Sequence, residues 1–322
     1  MKVLVTGASG MLGRCVANEA LRLGHEVRTF QRGPSGLAGV EDHRGSVTGA
    51  SAVRRASGGM DAVIHLAAKV SFTGDRADFE AVNVGGTRTL LREAQNSGVT
   101  RFVFVSSPSV AHAGMSIAGD DALPADPVRA RGEYARTKAQ AEVLALGADA
   151  PGFSVVAVRP HIVWGPGDTQ LIERVVERSR RGRLPLLNGG LALIDTTFVD
   201  NAAGAIVAAL GRADVVHGQS FVVTNGEPRT VADLLGAICR AAGVPGPRWS
   251  VSAGAARAAG GVIEKAWAVR QHADEPPMTR FLAEQLSTSH WYDQRRTQRS
   301  LEWAPTVSLD EGLEQLRLWY SI

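Results

Sequence analysis

Met1-Lys2-Val3-Leu4-Val5-Thr6-Gly7-Ala8-Ser9-Gly10-Met11-Leu12-Gly13 opens the chain, and the fold turns on these residues. Met1 to Val5 is the short apolar run of a strand buried on both faces, and Leu12 to Leu23 carries apolar residues at helical spacing. A strand, a glycine-rich turn and a helix start, in that order, suit a dinucleotide. Gly7 permits the tight turn, Gly10 lets the backbone approach a pyrophosphate, Gly13 lets helix and strand pack closely, and the helix N-terminus offers amide donors to phosphate. Ser9, Met11 and Leu12 line the same turn. The spacing is Gly-x-x-Gly-x-x-Gly and not the commoner fingerprint, so the turn taken alone is equally a tight connection.

A second set of residues adds chemistry. Tyr134 and Lys138 lie four apart, which places them on one face of a helix. An ammonium beside a phenol favours phenolate and brings a group that titrates near about 10 closer to working pH, where a proton donor is most efficient. Ser107 follows the strand-like Arg101-Phe102-Val103-Phe104-Val105. That position is the C-terminal end of a strand, where open α/β sheets bind ligands.

With these residues the chain resembles the extended short-chain dehydrogenase/reductase superfamily over essentially its whole length. The resemblance is carried by Gly7, Gly10 and Gly13, by His65-Leu66-Ala67-Ala68, by Asn83 in Val82-Asn83-Val84-Gly85-Gly86-Thr87, and by Ser107, Tyr134 and Lys138. Arg159-Pro160-His161-Ile162-Val163-Trp164-Gly165-Pro166-Gly167-Asp168 completes it. It implies that Ser107 hydrogen-bonds a substrate oxygen, that Tyr134 is the general acid or base, and that Lys138 holds the nicotinamide ribose while polarising Tyr134. It further implies that Leu66, Ala67, Ala68 and Asn83 lie along the cofactor and that Pro160, His161 and Val163 line the nicotinamide.

Composition agrees with a large folded enzyme. The 322 residues are 44% hydrophobic, enough for a substantial core, and the formal charge is only +3. So small a charge gives no argument for nucleic acid, and none is expected as a partner. Cys15 and Cys239 form no spaced cluster, so neither a disulfide framework nor a metal site is expected. Met1 to Val5 lacks a signal-peptide layout and no run approaches about 20 uninterrupted apolar residues, so a cytoplasmic protein is expected.

Along the chain, strand-like runs at Val27 to Phe30, Ala62 to Leu66, Arg101 to Val105 and Val155 to Val158 alternate with helical stretches near Leu12 to Leu23, Val84 to Ser97 and Tyr134 to Gly147. Alternation of this kind predicts an α/β fold, a Rossmann-type doubly wound parallel sheet with helices on both faces. Residues 1–166 are expected to be the NADP-binding domain. Residues 167–322 are expected to be mainly a smaller mixed α/β substrate-binding portion, with some segments returning to the first domain. In that portion a strand pair is expected near Ala192 to Phe198 and Ser220 to Thr224, with helices near Leu171 to Arg181, Asn201 to Leu210 and Val231 to Ala242.

Cofactor choice is read at the end of the second strand, where an acid holds the ribose of NAD and an arginine accommodates the 2′-phosphate of NADP. Gln31 stands in the place of the acid and Arg32 follows it, so NADP(H) is expected. Ser46-Val47 occupies the adenine position, with Ser46 where the family often has Asp.

Sugar-nucleotide enzymes of the superfamily commonly carry Asn where this chain has Ile162. Arg159-Pro160-His161 looks more like the 3β-hydroxysteroid dehydrogenase branch, whose substrates are apolar. The apolar stretch Ala253 to Val269 suits a mobile lid over a greasy substrate and equally an ordinary packed helix. Taken together, Arg159 to Asp168, Glu275 to Leu282 and His290-Trp291-Tyr292-Asp293 look similar to the bacterial 2-alkyl-3-oxoalkanoate reductases of olefin biosynthesis. That similarity implies a lipid-like substrate, reduction of its ketone, and a complex with a β-lactone-forming partner enzyme. A hydroxysteroid dehydrogenase and a sugar-nucleotide epimerase are the alternatives, and a homodimer through the two helices near Val84 to Ser97 and Tyr134 to Gly147 follows by analogy.

Overall fold

The computed structural model describes residues 1–71, 74–112, 114–269 and 279–321. Seven strands form one parallel sheet: β1 (Lys2–Thr6), β2 (Glu26–Gln31), β3 (Glu41–Arg44), β4 (Ala62–His65), β5 (Arg101–Val105), β6 (Ser154–Pro160) and β7 (Ser220–Val223). Their order is β7-β6-β5-β4-β1-β2-β3, so the chain reverses its direction of growth between β1 and β4. In open α/β sheets such a reversal, beyond the C-terminal strand ends, is where ligands bind. The main helices are α1 (Met11–Arg22), α2 (Ala50–Ser57), α3 (Gly86–Asn96), α4 (Gly132–Leu146), α5 (Ile172–Arg180), α6 (Val199–Gly211), α7 (Val231–Ala241), α8 (Ala253–Val269), α9 (Arg280–Ser287) and α10 (Leu309–Tyr320).

Side chains alternate across the sheet because successive strand residues face opposite ways. Val3, Val5, Val103 and Val156 pack with Val16, Ala17 and Ala20 of α1 and with Ala205, Ile206 and Leu210 of α6. On the other face Leu4, Val63, Phe102 and Phe104 pack with Val53 of α2, Leu90 and Ala94 of α3, and Ala141 of α4. Each fully buried Leu or Phe here contributes about 1.5–3 kcal/mol, which is what holds the strand ends in register.

Ser220–Val223 corrects one expectation. It does not pair with Ala192 to Phe198 but lies parallel to β6 at the sheet edge, with Phe221 and Val223 both fully buried. Leu193–Ile194 instead joins a small mixed sheet with Ile117–Asp120, Arg229–Thr230 and His290–Tyr292, while Thr197–Phe198 pairs with Val163–Trp164. A third apolar core sits under this portion, built on Trp164, Ile172, Val176, Phe198, Leu234, Ile238 and Leu316.

Ala253 to Val269 is a helix whose buried Ala253 and Ala256 face inward, the latter sharing a small apolar cluster with Leu187 and Ala283 of α9. Of the stretch Glu275 to Leu282, residues 275–278 lie outside the described residues; Thr279 caps α9 by accepting from the Leu282 amide. Among the described residues, no helix is long and apolar enough to cross a membrane, and no group of three or more His, Cys, Asp and Glu is placed to hold a metal ion.

Candidate active site

Thr6 ends β1 and the chain turns sharply at Gly7, whose φ of +79° lies in the left-handed region. A Cβ at Gly7 would sit 2.9 Å from the Ala67 nitrogen, and one at Gly13 would collide with the Gly7 carbonyl, 2.8 Å from its carbon. The two glycines therefore let β1, the loop after β4 and α1 approach backbone to backbone. Gly10 is the N-cap of α1 and no side chain caps that end, so its first amides stay open to an anion. Ser9 is exposed and Met11 and Leu12 half-buried on this rim. These residues fit a dinucleotide pyrophosphate.

Buried hydrogen bonds fix the neighbouring strand end. Thr6 Oγ1 lies 2.8 Å from His65 Nδ1 and accepts from the Ala67 amide at 3.1 Å, and His65 Nε2 lies 3.0 Å from Thr87 Oγ1. Burial pushes the His65 ring down to about 3, so it stays neutral and serves as a connector. Leu66, Ala67 and Ala68 follow directly and are half-buried.

Asn83 sits in a π-helical turn, Glu80–Gly85, that runs straight into α3. Its Oδ1 accepts from the Lys69 amide at 2.7 Å, and its Nδ2 donates to Lys69 O at 3.2 Å and to Thr137 Oγ1 at 3.0 Å. Asn83 thus ties the loop after Ala68 to the helix that carries Tyr134 and Lys138. Gly86 allows the turn to press on Val47, whose Cγ2 would lie 2.6 Å from a Cβ there. Val47 is buried, while Ser46 is half-buried and spends its hydroxyl on Thr48 Oγ1 at 2.8 Å.

At the end of β2, Gln31 is buried and donates through Nε2 to Asp42 Oδ1, which also accepts from Thr29 Oγ1 at 2.9 Å. An ionised carboxylate only accepts, so the Gln31 amide nitrogen must face Asp42 and its oxygen must face away; that oxygen has no partner. Arg32, next along, is exposed. Asp42 lies on β3, whose charged sequence gave no strand signal.

Ser107, Tyr134 and Lys138 come together beyond β5. Ser107 caps a short 3₁₀ turn, Pro108–Val110. Burial pushes the half-buried Tyr134 phenol up to about 12, with the nearby Ser107 side chain pulling the other way. The ammonium of Lys138 was expected to lower it. Instead Lys138 Nζ donates to Val105 O at 2.6 Å and lies 4.1 Å over the Phe104 ring. Burial pushes Lys138 down to about 7, with Glu142 opposing. Glu142 is itself locked in a fully buried pair with Arg159, which also donates to Leu123 O. That pair pins α4 to β6; removing one partner alone would cost about 3–5 kcal/mol.

Pro160 and His161 are buried and Val163 half-buried beside this site. The Ser106 amide donates to Val158 O at 2.7 Å, which sets Ser107 next to the end of β6. His161 Nδ1 lies 2.6 Å from Asp195 O, and its ring packs edge-on to Tyr292 at 5.3 Å and His290 at 6.0 Å. Burial pushes His161 down to about 4 and His290 to about 3, so the blander role of a neutral packed ring fits His161. His290 lies 2.9 Å from His112 Nε2, a contact that joins the loop after Ser107 to the C-terminal strand. Separated by 178 residues, this pair carries no signal in sequence.

Known proteins resemble the chain over almost its whole length. The chain is 37% identical to a protein named 2-alkyl-3-oxoalkanoate reductase from Stenotrophomonas maltophilia over 98% of both chains. It is 30% identical to a 3-beta-hydroxysteroid dehydrogenase from Mycolicibacterium neoaurum, over 99% of this chain and 90% of that one. The solved structure of MoeE5 in complex with UDP-glucose and NAD superposes with a TM-score of 0.76 at 24% identity, covering 100% of this chain and 99% of that one, and speaks for the fold alone. Residues 3–224 match the model of the NAD dependent epimerase/dehydratase family, and the chain belongs to that family, the extended short-chain dehydrogenase/reductases.

Proposed function

We propose that this protein reduces the ketone of a long-chain 2-alkyl-3-oxoalkanoate to the 2-alkyl-3-hydroxyalkanoate with NADPH. The observation that carries the chemistry is the gathering of Ser107 and Tyr134, whose side chains are near enough for Ser107 to draw the phenol's pKa down, with Lys138 buried one turn further along the same helix. When bound, the nicotinamide supplies a hydride to the ketone carbon. Tyr134 gives its phenolic proton to the oxygen as the C=O bond becomes C–OH, and Ser107 donates a hydrogen bond to that oxygen while charge develops. Lys138, as ammonium, would hold the ribose on turning from Val105 O, and would bring positive charge toward the phenol. Gly7, Gly10 and Gly13 cradle the pyrophosphate, and Arg32 pairs with the 2′-phosphate.

The substrate class is supported by the full-length likeness to the Stenotrophomonas reductase and by the alanine- and glycine-rich α8 packed on α9, which suits alkyl chains. A product with two alkyl chains is poorly soluble, so transfer to a β-lactone-forming enzyme in a cytoplasmic assembly belongs to the same proposal, as does a homodimer. The deciding experiment is turnover with NADPH and with NADH against 2-alkyl-3-ketoacids of increasing chain length, 3-ketosteroids and UDP-sugars. Efficiency is expected to rise with each methylene, by up to about 0.8 kcal/mol, until the pocket is filled. Preference for the rigid steroid, or indifference to chain length, would overturn the substrate.

A further inference from the structure

Ser107 has a neighbour whose hydroxyl is aimed at it. Ser109 Oγ donates to Ser107 Oγ at 2.9 Å, and the Ser109 amide donates to the same oxygen at 3.3 Å. A serine hydroxyl has two acceptor lone pairs and one proton. Both lone pairs of Ser107 are thereby taken, and its proton is all it has left to offer. The geometry points to Ser109 as a positioning residue that makes Ser107 an obligate hydrogen-bond donor toward the oxygen that reacts.

The turn that presents Ser109 is held firmly. Pro108 starts the 3₁₀ turn with its φ restricted by the ring, Pro108 and Val110 are buried on either side, and the Val110 amide donates to Ser107 O at 3.2 Å. Ser109 itself is half-buried, and among the described residues its hydroxyl is committed to Ser107. A free serine hydroxyl rotates among three staggered positions, and in some of them Ser107 would accept from Tyr134 and compete with proton delivery. With Ser109 in place the Ser107 proton is left to point toward the phenol, in the same sense as the downward pull that Ser107 exerts on Tyr134. The same donor would meet a carbonyl oxygen as negative charge builds on it, without reorganising at the moment of reaction.

This role rests on the proposal that Ser107 and Tyr134 act on a substrate oxygen, so its test has one arm that needs no substrate. Ser109→Ala is expected to lower kcat by roughly five- to tenfold with KM and cofactor affinity unchanged, and Ser109→Thr, which keeps the hydroxyl, to restore it. In a Ser107→Ala background the Ser109→Ala change is expected to cost nothing further, because it acts only through Ser107. For the substrate-free arm, 3-fluorotyrosine placed at Tyr134 brings the phenol into an accessible range. Its titration midpoint is expected to rise in Ser109→Ala by about half a unit, the scale of a weakened hydrogen bond. Equal losses in both backgrounds, or a midpoint that does not move, would overturn the assignment. If no ketone is turned over at all, the proposed function fails while the midpoint still decides the role of Ser109.

Discussion

Glycines mark close contacts at both ends of this molecule, and they do so in different ways. At the cofactor end, a Cβ on Gly13 meets the backbone of Gly7 and Ala8, which the sheet and α1 hold in place. In the C-terminal portion, a Cβ on Gly261 of α8 meets the guanidinium of Arg280, 2.8 Å from its Cζ, and a long side chain can swing away. The first contact tolerates no added atom and the second yields. Where bond-making atoms must be held to a few tenths of an ångström, this protein packs backbone on backbone. On α8 the two kinds of contact stand side by side, since a Cβ at the neighbouring Gly260 would lie 2.8 Å from the Thr279 backbone carbon while Gly261 meets only a side chain that can move.

The largest effect that would test this division is catalytic. Tyr134→Phe keeps the ring and its packing but removes the transferable proton, so turnover is expected to fall by about a hundredfold or more while NADPH affinity stays the same; near-normal turnover would remove Tyr134 from the chemistry. Next comes the glycine contrast itself. Gly13→Ala is expected to destabilise by about 3 kcal/mol in urea unfolding, whereas Gly261→Ala should change stability by less than about 1 kcal/mol, since helix propensity favours alanine. Equal losses would mean that both ends are equally rigid.

Smaller effects probe the cofactor end alone. Arg32→Ala is expected to weaken NADPH by about 1–3 kcal/mol in a binding titration and leave NADH unaltered; parallel losses would show that Arg32 does not read the 2′-phosphate. The smallest is a pH effect. Lys138 has its pKa depressed from 10.5 to about 7 in the folded chain, so the unfolded chain binds the proton more tightly between those values. Stability is therefore expected to gain with rising pH across that window, the cost of a buried ammonium disappearing as the group becomes neutral. Cofactor affinity should move the other way, falling several-fold as the ammonium is lost above about 7. Lys138→Met should flatten both profiles.

The apolar strands β1, β2, β4, β5 and β6 were legible because each is a short run buried on both faces, and α1 and α4 because their apolar residues recur at helical spacing. β3 was not, because Glu41, Asp42, His43 and Arg44 form a charged edge strand with no alternation to read. That omission hid Asp42, the residue that orients Gln31. Ser107, Tyr134 and Lys138 were each legible as residue types at meaningful spacings, but spacing does not specify rotamer. Hence the turn of Lys138 toward Val105 O, and the dominance of burial over charge at Tyr134, emerged only from the folded chain. The same holds for His112 and His290, which only tertiary structure brings together.

The π-helical turn at Glu80–Gly85 carries a consequence for how this chain tolerates change. A π turn holds one more residue than the α turn it replaces, so it behaves as a single-residue insertion absorbed inside a helix. Deleting one residue from 80–85 would let the segment revert to regular α-helix, and everything on its N-terminal side would rotate by about 100° relative to α3. Gly86 would remain seated on Val47, but Asn83 would swing off Lys69 and Thr137. A one-residue deletion here is thus a change of rotational phase more than of length: it would uncouple the loop after Ala68 from the helix of Tyr134 and turn Phe79 and Val82 out of their packing.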